Sequence, residues 1–69
     1  MKINWVDGLC IKVDADKNEV VISANKEGLL SLSEICNTLA SSDVIGDHVH
    51  LDQYNSLEDG SVELIISKL

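Results

Sequence analysis

The stretch Glu19-Val20-Val21-Ile22-Ser23-Ala24-Asn25-Lys26-Glu27-Gly28-Leu29-Leu30-Ser31-Leu32 changes its hydrophobic period at Asn25. Before Asn25 three β-branched residues stand in a row, which suits a pleated strand. After it, Leu29, Leu32, Ile35, Cys36 and Leu39 recur at three- and four-residue steps, the spacing that puts side chains on one face of a helix. Asn25 is a good N-cap, and Glu27 stands in the first turn, where a carboxylate meets the positive end of the helix dipole. The spacing predicts a strand over Glu19–Ala24 and a helix over Lys26–Ala40 that stops in Ser41-Ser42-Asp43. At 1.5 Å per residue the helix is about 22 Å long. Gly28 weakens its start slightly.

Working outward toward the N-terminus, Asp7-Gly8 lies between Ile3-Asn4-Trp5-Val6 and Leu9-Cys10-Ile11-Lys12-Val13, a strong hairpin signal because Gly supplies positive φ. Residues 14–18 form a polar turn, so three strands in a meander precede the helix. Toward the C-terminus, residues 47–52 alternate strictly, with Val49 and Leu51 on one face and polar residues on the other. After a loop over 53–60, residues 61–67 give a last strand, whose consecutive Leu64-Ile65-Ile66 point to burial on both faces and a central position. The order β-β-β-α-β-β implies a small two-layer α+β domain spanning residues 1–69. Its mostly antiparallel sheet has four to five strands, with the one helix on one face. Alternation assigns Leu9, Ile11, Val13, Val20, Ile22, Val49, Leu51, Val62, Leu64 and Ile66 to the helix side. The other side then carries Cys10, Lys12, Val21, His48, His50, Asp52, Glu63 and Ile65.

Sixty-nine residues leave room for one small domain with a marginal core, for which a staple, a metal or a partner subunit is useful. Five Lys+Arg against twelve Asp+Glu give a net charge of −7, which repels phosphate backbones and anionic lipid surfaces and argues against nucleic-acid and membrane partners. The same field favours encounter with a basic protein. No apolar run approaches the length of a membrane span, and the first residues lack the apolar core of a signal peptide, so a cytoplasmic location is expected. There Cys10 and Cys36 stay reduced. Cys36, on the helix stripe, reads as a small core hydrophobe, and Cys10 as structural.

His48-Val49-His50 is the sharpest chemical feature. Residues two apart on a strand project to one side about 6.6–6.8 Å apart, close enough to share a metal or to meet a partner. Asp52 lies about 13 Å along the strand from His48, so a third ligand would have to be Cys10 or Glu63 from a neighbouring strand. Nothing in the sequence marks a nucleophile, and a two-layer domain of this size has little room for a catalytic pocket. The sheet face that carries the histidines together with Val21 and Ile65 suits dimerisation or partner docking.

Three segments in order, Asn25-Lys26-Glu27-Gly28-Leu29-Leu30-Ser31-Leu32, Gly46-Asp47-His48-Val49-His50-Leu51-Asp52-Gln53-Tyr54-Asn55 and Leu57-Glu58-Asp59-Gly60-Ser61-Val62-Glu63-Leu64-Ile65-Ile66, together resemble the immunity protein 32 family of bacterial polymorphic toxin systems. The resemblance covers roughly residues 24–68, and only the set of three segments is specific. It implies a cytosolic, non-enzymatic antidote with an α+β fold that binds and neutralises a cognate protein toxin, with no cofactor. The acidic surface suits a basic toxin domain. Among the positions matching the family's segments, His48, His50, Asp52, Tyr54, Glu58 and Glu63 are the expected partner-binding residues. Glu27 lies in the same segments, and Gly28 and Gly60 read as structural. The runner-up reading is a small homodimer or metal-binding module built on the His-x-His strand.

Overall fold

A computed structural model describes residues 2–69. The chain runs β1 (Ile11–Asp16), β2 (Glu19–Ala24), α1 (Lys26–Ala40), β3 (His48–Leu51) and β4 (Leu64–Ser67). The α+β class holds, and β2 and α1 fall where the period change places them. The single sheet of four to five strands does not form. Instead there are two antiparallel two-stranded ladders, β1 with β2 and β3 with β4.

The expected first strand is the cause of the difference. Ile3-Asn4-Trp5-Val6 is not a strand, although Asp7-Gly8 does turn and Gly8 has φ 84°. The edge of β1 that it would have paired with is already taken. Glu58 N–H donates to the Ile11 carbonyl (2.8 Å), Val62 N–H donates to the Val13 carbonyl (3.0 Å), and Val13 N–H donates to Ser61 Oγ (3.0 Å). The Asp59-Gly60 turn sits between those contacts, with Gly60 at φ 84° and Ser61 N–H donating to the Glu58 carbonyl. That turn interrupts what would have been a ladder joining β1 to the last strand, so the two ladders are stitched rather than fused. Val6 N–H donates instead to Ser31 Oγ on the helix (2.9 Å), while Ile3 and Leu9 pack against the core.

The core is Ile11 and Val13 from β1, Ile35 and Leu39 from α1, Val49 and Leu51 from β3, and Leu57 from the connecting loop. Leu29 and Cys36, expected in the helix stripe, are exposed, whereas Gly28 and Ser31 are buried. The helix is rolled toward the N-terminal segment. Ser31 tolerates full burial because its hydroxyl donates to the Glu27 carbonyl and accepts from Val6, leaving no orphaned polar atom. Val20, Ile22 and Val62 were also expected in the core and are 63%, 42% and 42% exposed. Only one residue separates β2 from α1, so the helix covers the base of the β1–β2 hairpin and leaves its far end bare. Ile65, expected to be buried, is 60% exposed, because among the described residues β4 pairs only with β3 and its outer face is open.

Asn25 locks the corner between hairpin and helix. Its Oδ1 accepts from Gly28 N–H (2.8 Å) and Cys10 N–H (3.0 Å), and its Nδ2 donates to the Gly8 carbonyl (2.8 Å). Replacing a capping side chain by alanine costs about 1–2 kcal/mol, which in a domain of this size moves the melting point by about 4–8 °C per kcal/mol. Asn25→Ala is therefore expected to melt about 4–16 °C lower by circular dichroism, and an unchanged melting curve would contradict this role.

Candidate functional site

Both ladders turn one face to the core shared with α1, so their other faces point away from the helix. Along β3 the alternation buries Val49 and Leu51 and leaves His48 and His50 outward. The register sets His48 opposite Ser67 and His50 opposite Ile65. Glu63, just before β4, brings Oε2 to 3.4 Å from His50 Nε2, with the two side chains 69% and 45% exposed. An exposed pair of this kind contributes little to stability. At that distance the contact is a loose one that leaves the Glu63 carboxylate beside the ring. His48 Nδ1 lies 3.1 Å from the Gly46 carbonyl, so that nitrogen is the donor and neutral His48 presents Nε2 as an acceptor. The two imidazoles thus stand side by side on an open surface with the apolar Ile65 beside them.

On the hairpin, the outward positions are Lys12, Asp14 and Asp16 from β1 and Glu19, Val21 and Ser23 from β2. Lys12 is paired with Asp14, which cancels the positive charge on this face. The helix-distal surface is therefore acidic, with Val21 and Ile65 as apolar points and the two histidines at one end.

The remaining expected site residues fall elsewhere. The Asp52 carbonyl accepts from the N–H groups of Asn55, Ser56 and Leu57, and its Oδ1 accepts from Tyr54 N–H (2.9 Å) and Asn55 N–H (3.0 Å). Asp52 therefore builds the turn that follows β3, and that turn holds Tyr54 out at 89% exposure. Glu58 lies along the edge of β1 opposite β2, beside Cys10. By accepting a hydrogen bond from the thiol, and by its charge, it holds the Cys10 pKa above the usual cysteine range. That keeps Cys10 a thiol rather than a reactive thiolate. Of the six residues, the structure gathers His48, His50 and Glu63. Asp52 and Tyr54 sit at the turn beyond β3, and Glu58 sits on a separate edge.

Among the described residues, no three His, Cys, Asp or Glu side chains converge as metal ligands, and the surface holds no pocket. No helix among them is long and apolar enough to cross a membrane. The arrangement can offer hydrogen bonds, negative charge and apolar contact to a surface laid against it.

The sequence reading missed the exposed apolar residues on the core side of the hairpin. The signal was its length: six residues per strand extend about 20 Å, whereas a helix is about 10–12 Å across. One helix leaving the hairpin's base cannot cover its tip.

No curated protein and no solved structure matches the chain. The family model for Immunity protein 32 matches residues 19–69, from the first residue of β2 onward, and so takes in α1, both strands of the second ladder and all six candidate residues. By that match the chain belongs to the Immunity protein 32 family.

Proposed function

We propose that this chain is a cytoplasmic, non-enzymatic antidote that neutralises a bacterial protein toxin by binding it, and that the helix-distal face of β3 and β4 is the surface that binds. Family membership supports the role. The observation that carries the surface is the row of His48, His50 and Ile65, with Glu63 held against His50, on a face turned away from the helix. Turnover needs a concave site that excludes water, whereas blocking a toxin's active site needs only a complementary surface. The acidic face and the net charge of −7 favour a basic toxin domain and a complex that weakens as salt screens the attraction. Asp52 contributes by shaping the turn that carries Tyr54, and Glu58 by its charge at the neighbouring edge.

The test is capture from the native host with tagged protein, comparing the wild type with a His48→Ala/His50→Ala variant. Both side chains are exposed, so the variant's circular dichroism should be unchanged. The expected result is a partner retained by the wild type and bound at least about tenfold more weakly by the variant, a loss of about 1.4 kcal/mol or more. Equal retention by both proteins would move the site off β3. A captured partner that proves harmless when expressed alone would remove the antidote reading.

A further inference from the structure

The outer edge of β2 is a six-residue strand without the usual guards. Its register with β1 is continuous over all six pairs, so no bulge twists it away, and Glu19-Val20-Val21-Ile22-Ser23-Ala24 contains no Lys and no Pro. Val20, Val21 and Ile22 are 63%, 46% and 42% exposed, so the strand is apolar and bare on both faces. Natural sheets guard such edges with charge, proline or a cover, because an unguarded one recruits another strand. The opposite edge, on β1, is already covered by residues 58–62.

The direction of the unpaired backbone groups follows from those same contacts. The carbonyls of Ile11 and Val13 point to the 58–62 segment, away from β2. In an antiparallel ladder the two residues of a pair both point inward or both point outward, so their register partners Ala24 and Ile22 point outward on the far side, and so does Val20 two residues along. Val20 and Ile22 therefore offer two N–H and two C=O groups along the free edge.

We propose that β2 is the contact between two copies of this chain, paired antiparallel about a two-fold axis through Val21. Residues directly opposite in such a ladder share a face. This register sets Val20 against Ile22 of the second copy, twice, and Val21 against its own counterpart. The outward backbone groups of Val20 and Ile22 meet each other in four hydrogen bonds. Each Glu19 faces Ser23 of the other copy, and the two Glu19 side chains lie about 13 Å apart along the strand, beyond the screening length of about 8–10 Å at ordinary salt. Thus β2 is complementary to itself, with its three bare apolar residues matched and its one charge kept apart.

Area points to the same occupant. The chain exposes 4832 Å², against about 4,200 Å² expected for a monomer of this mass. The surplus, about 600 Å² per copy over the whole surface, is of the order that a small specific interface removes from each partner. A basic partner would be drawn to the acidic face rather than to β2, whose central residues are uncharged. Since each copy carries −7, association through β2 has to overcome repulsion, so it should strengthen as salt rises, opposite to the toxin complex.

Light scattering on the purified chain tests this. The expected result is twice the monomer mass at about tens of micromolar, with a larger dimer fraction at about 0.5 M salt than at about 0.05 M, and monomer for Val21→Lys with an unchanged circular dichroism spectrum. A monomer at every salt concentration, or a dimer that survives Val21→Lys, overturns the proposal. A second variant does not depend on disrupting the edge. In a Cys10→Ser/Cys36→Ser background, Val21→Cys should oxidise to a covalent dimer, because facing residues in the narrow pairs lie about 4.5 Å apart at Cα, within disulfide reach. Ile65→Cys in the same background should not. No crosslink through position 21, or equal crosslinking through both positions, overturns the register. The toxin reading is tested separately by His48 and His50, which lie on the other ladder.

Discussion

Gly28→Ala is expected to destabilise the protein by about 2–3 kcal/mol, even though alanine is the better helix former by about 1 kcal/mol. A Cβ at this position would stand 2.6 Å from the Cys10 carbonyl oxygen, 2.9 Å from Ile11 Cγ1 and 3.0 Å from Ala24 Cβ. The first of these is backbone, held by the bond from Asn25 N–H to the same Cys10 carbonyl (3.1 Å), so it cannot swing aside as a long side chain would. Relief requires lifting the first turn of α1 off the hairpin, which also loosens Ile11 in the core. At about 4–8 °C per kcal/mol the melting point should fall by about 10–20 °C. A gain in stability would mean that helix propensity decides at this position and that helix and hairpin are less tightly apposed than described.

Leu51→Ala should cost about 2–5 kcal/mol, the range for emptying a buried leucine site. Leu51 has no exposed surface, is paired with Leu64 in the ladder, and packs in the cluster that joins both ladders to α1. Small domains hold about 0.05–0.15 kcal/mol per residue, so the loss is comparable to the whole stability of this one. The comparison that gives the result meaning is Leu29→Ala. Periodicity puts Leu29 on the same helix stripe as Ile35 and Leu39, yet it is 56% exposed, and its truncation should stay within about 0.5 kcal/mol. Comparable losses from the two substitutions, measured by urea denaturation, would restore the unrolled helix face and refute the packing. Because His48 and His50 alternate with Val49 and Leu51 on β3, Leu51→Ala should also weaken partner binding at temperatures where it unfolds. In the cold, where the variant folds, binding should recover.

Local structure was the part most legible in the sequence. The change of period at Asn25 gave β2 and α1 with their ends, because a capping side chain and a three-four apolar spacing act over a few residues. The alternation across His48-Val49-His50-Leu51 likewise gave the buried and exposed faces of β3. What failed was non-local. The pairing of β1 with residues 58–62, rather than with Ile3-Asn4-Trp5-Val6, depends on contacts between residues nearly fifty positions apart, such as Val13 N–H to Ser61 Oγ, and no local pattern records them. The roll of α1 buries Ser31, which tolerates it because its hydroxyl finds partners in Val6 N–H and the Glu27 carbonyl, and the first of these lies 25 residues away. The contact that secures the end of the helix was hidden in the same way. Lys68 Nζ donates to the Ala40 and Ser42 carbonyls from 28 and 26 residues away, although the last turn of α1 itself holds no basic residue. Within the site, His48 and His50 were readable because both lie on one strand. Their conjunction with Glu63 needed the β3–β4 register.

The central claim is that the face bearing His48 and His50 neutralises a toxin by contact. The most direct measurement is survival of a host that expresses the captured toxin together with this chain. The wild type should restore growth. The His48→Ala/His50→Ala variant, folded and equally abundant, should restore it poorly. Full protection by the histidine variant would contradict the account.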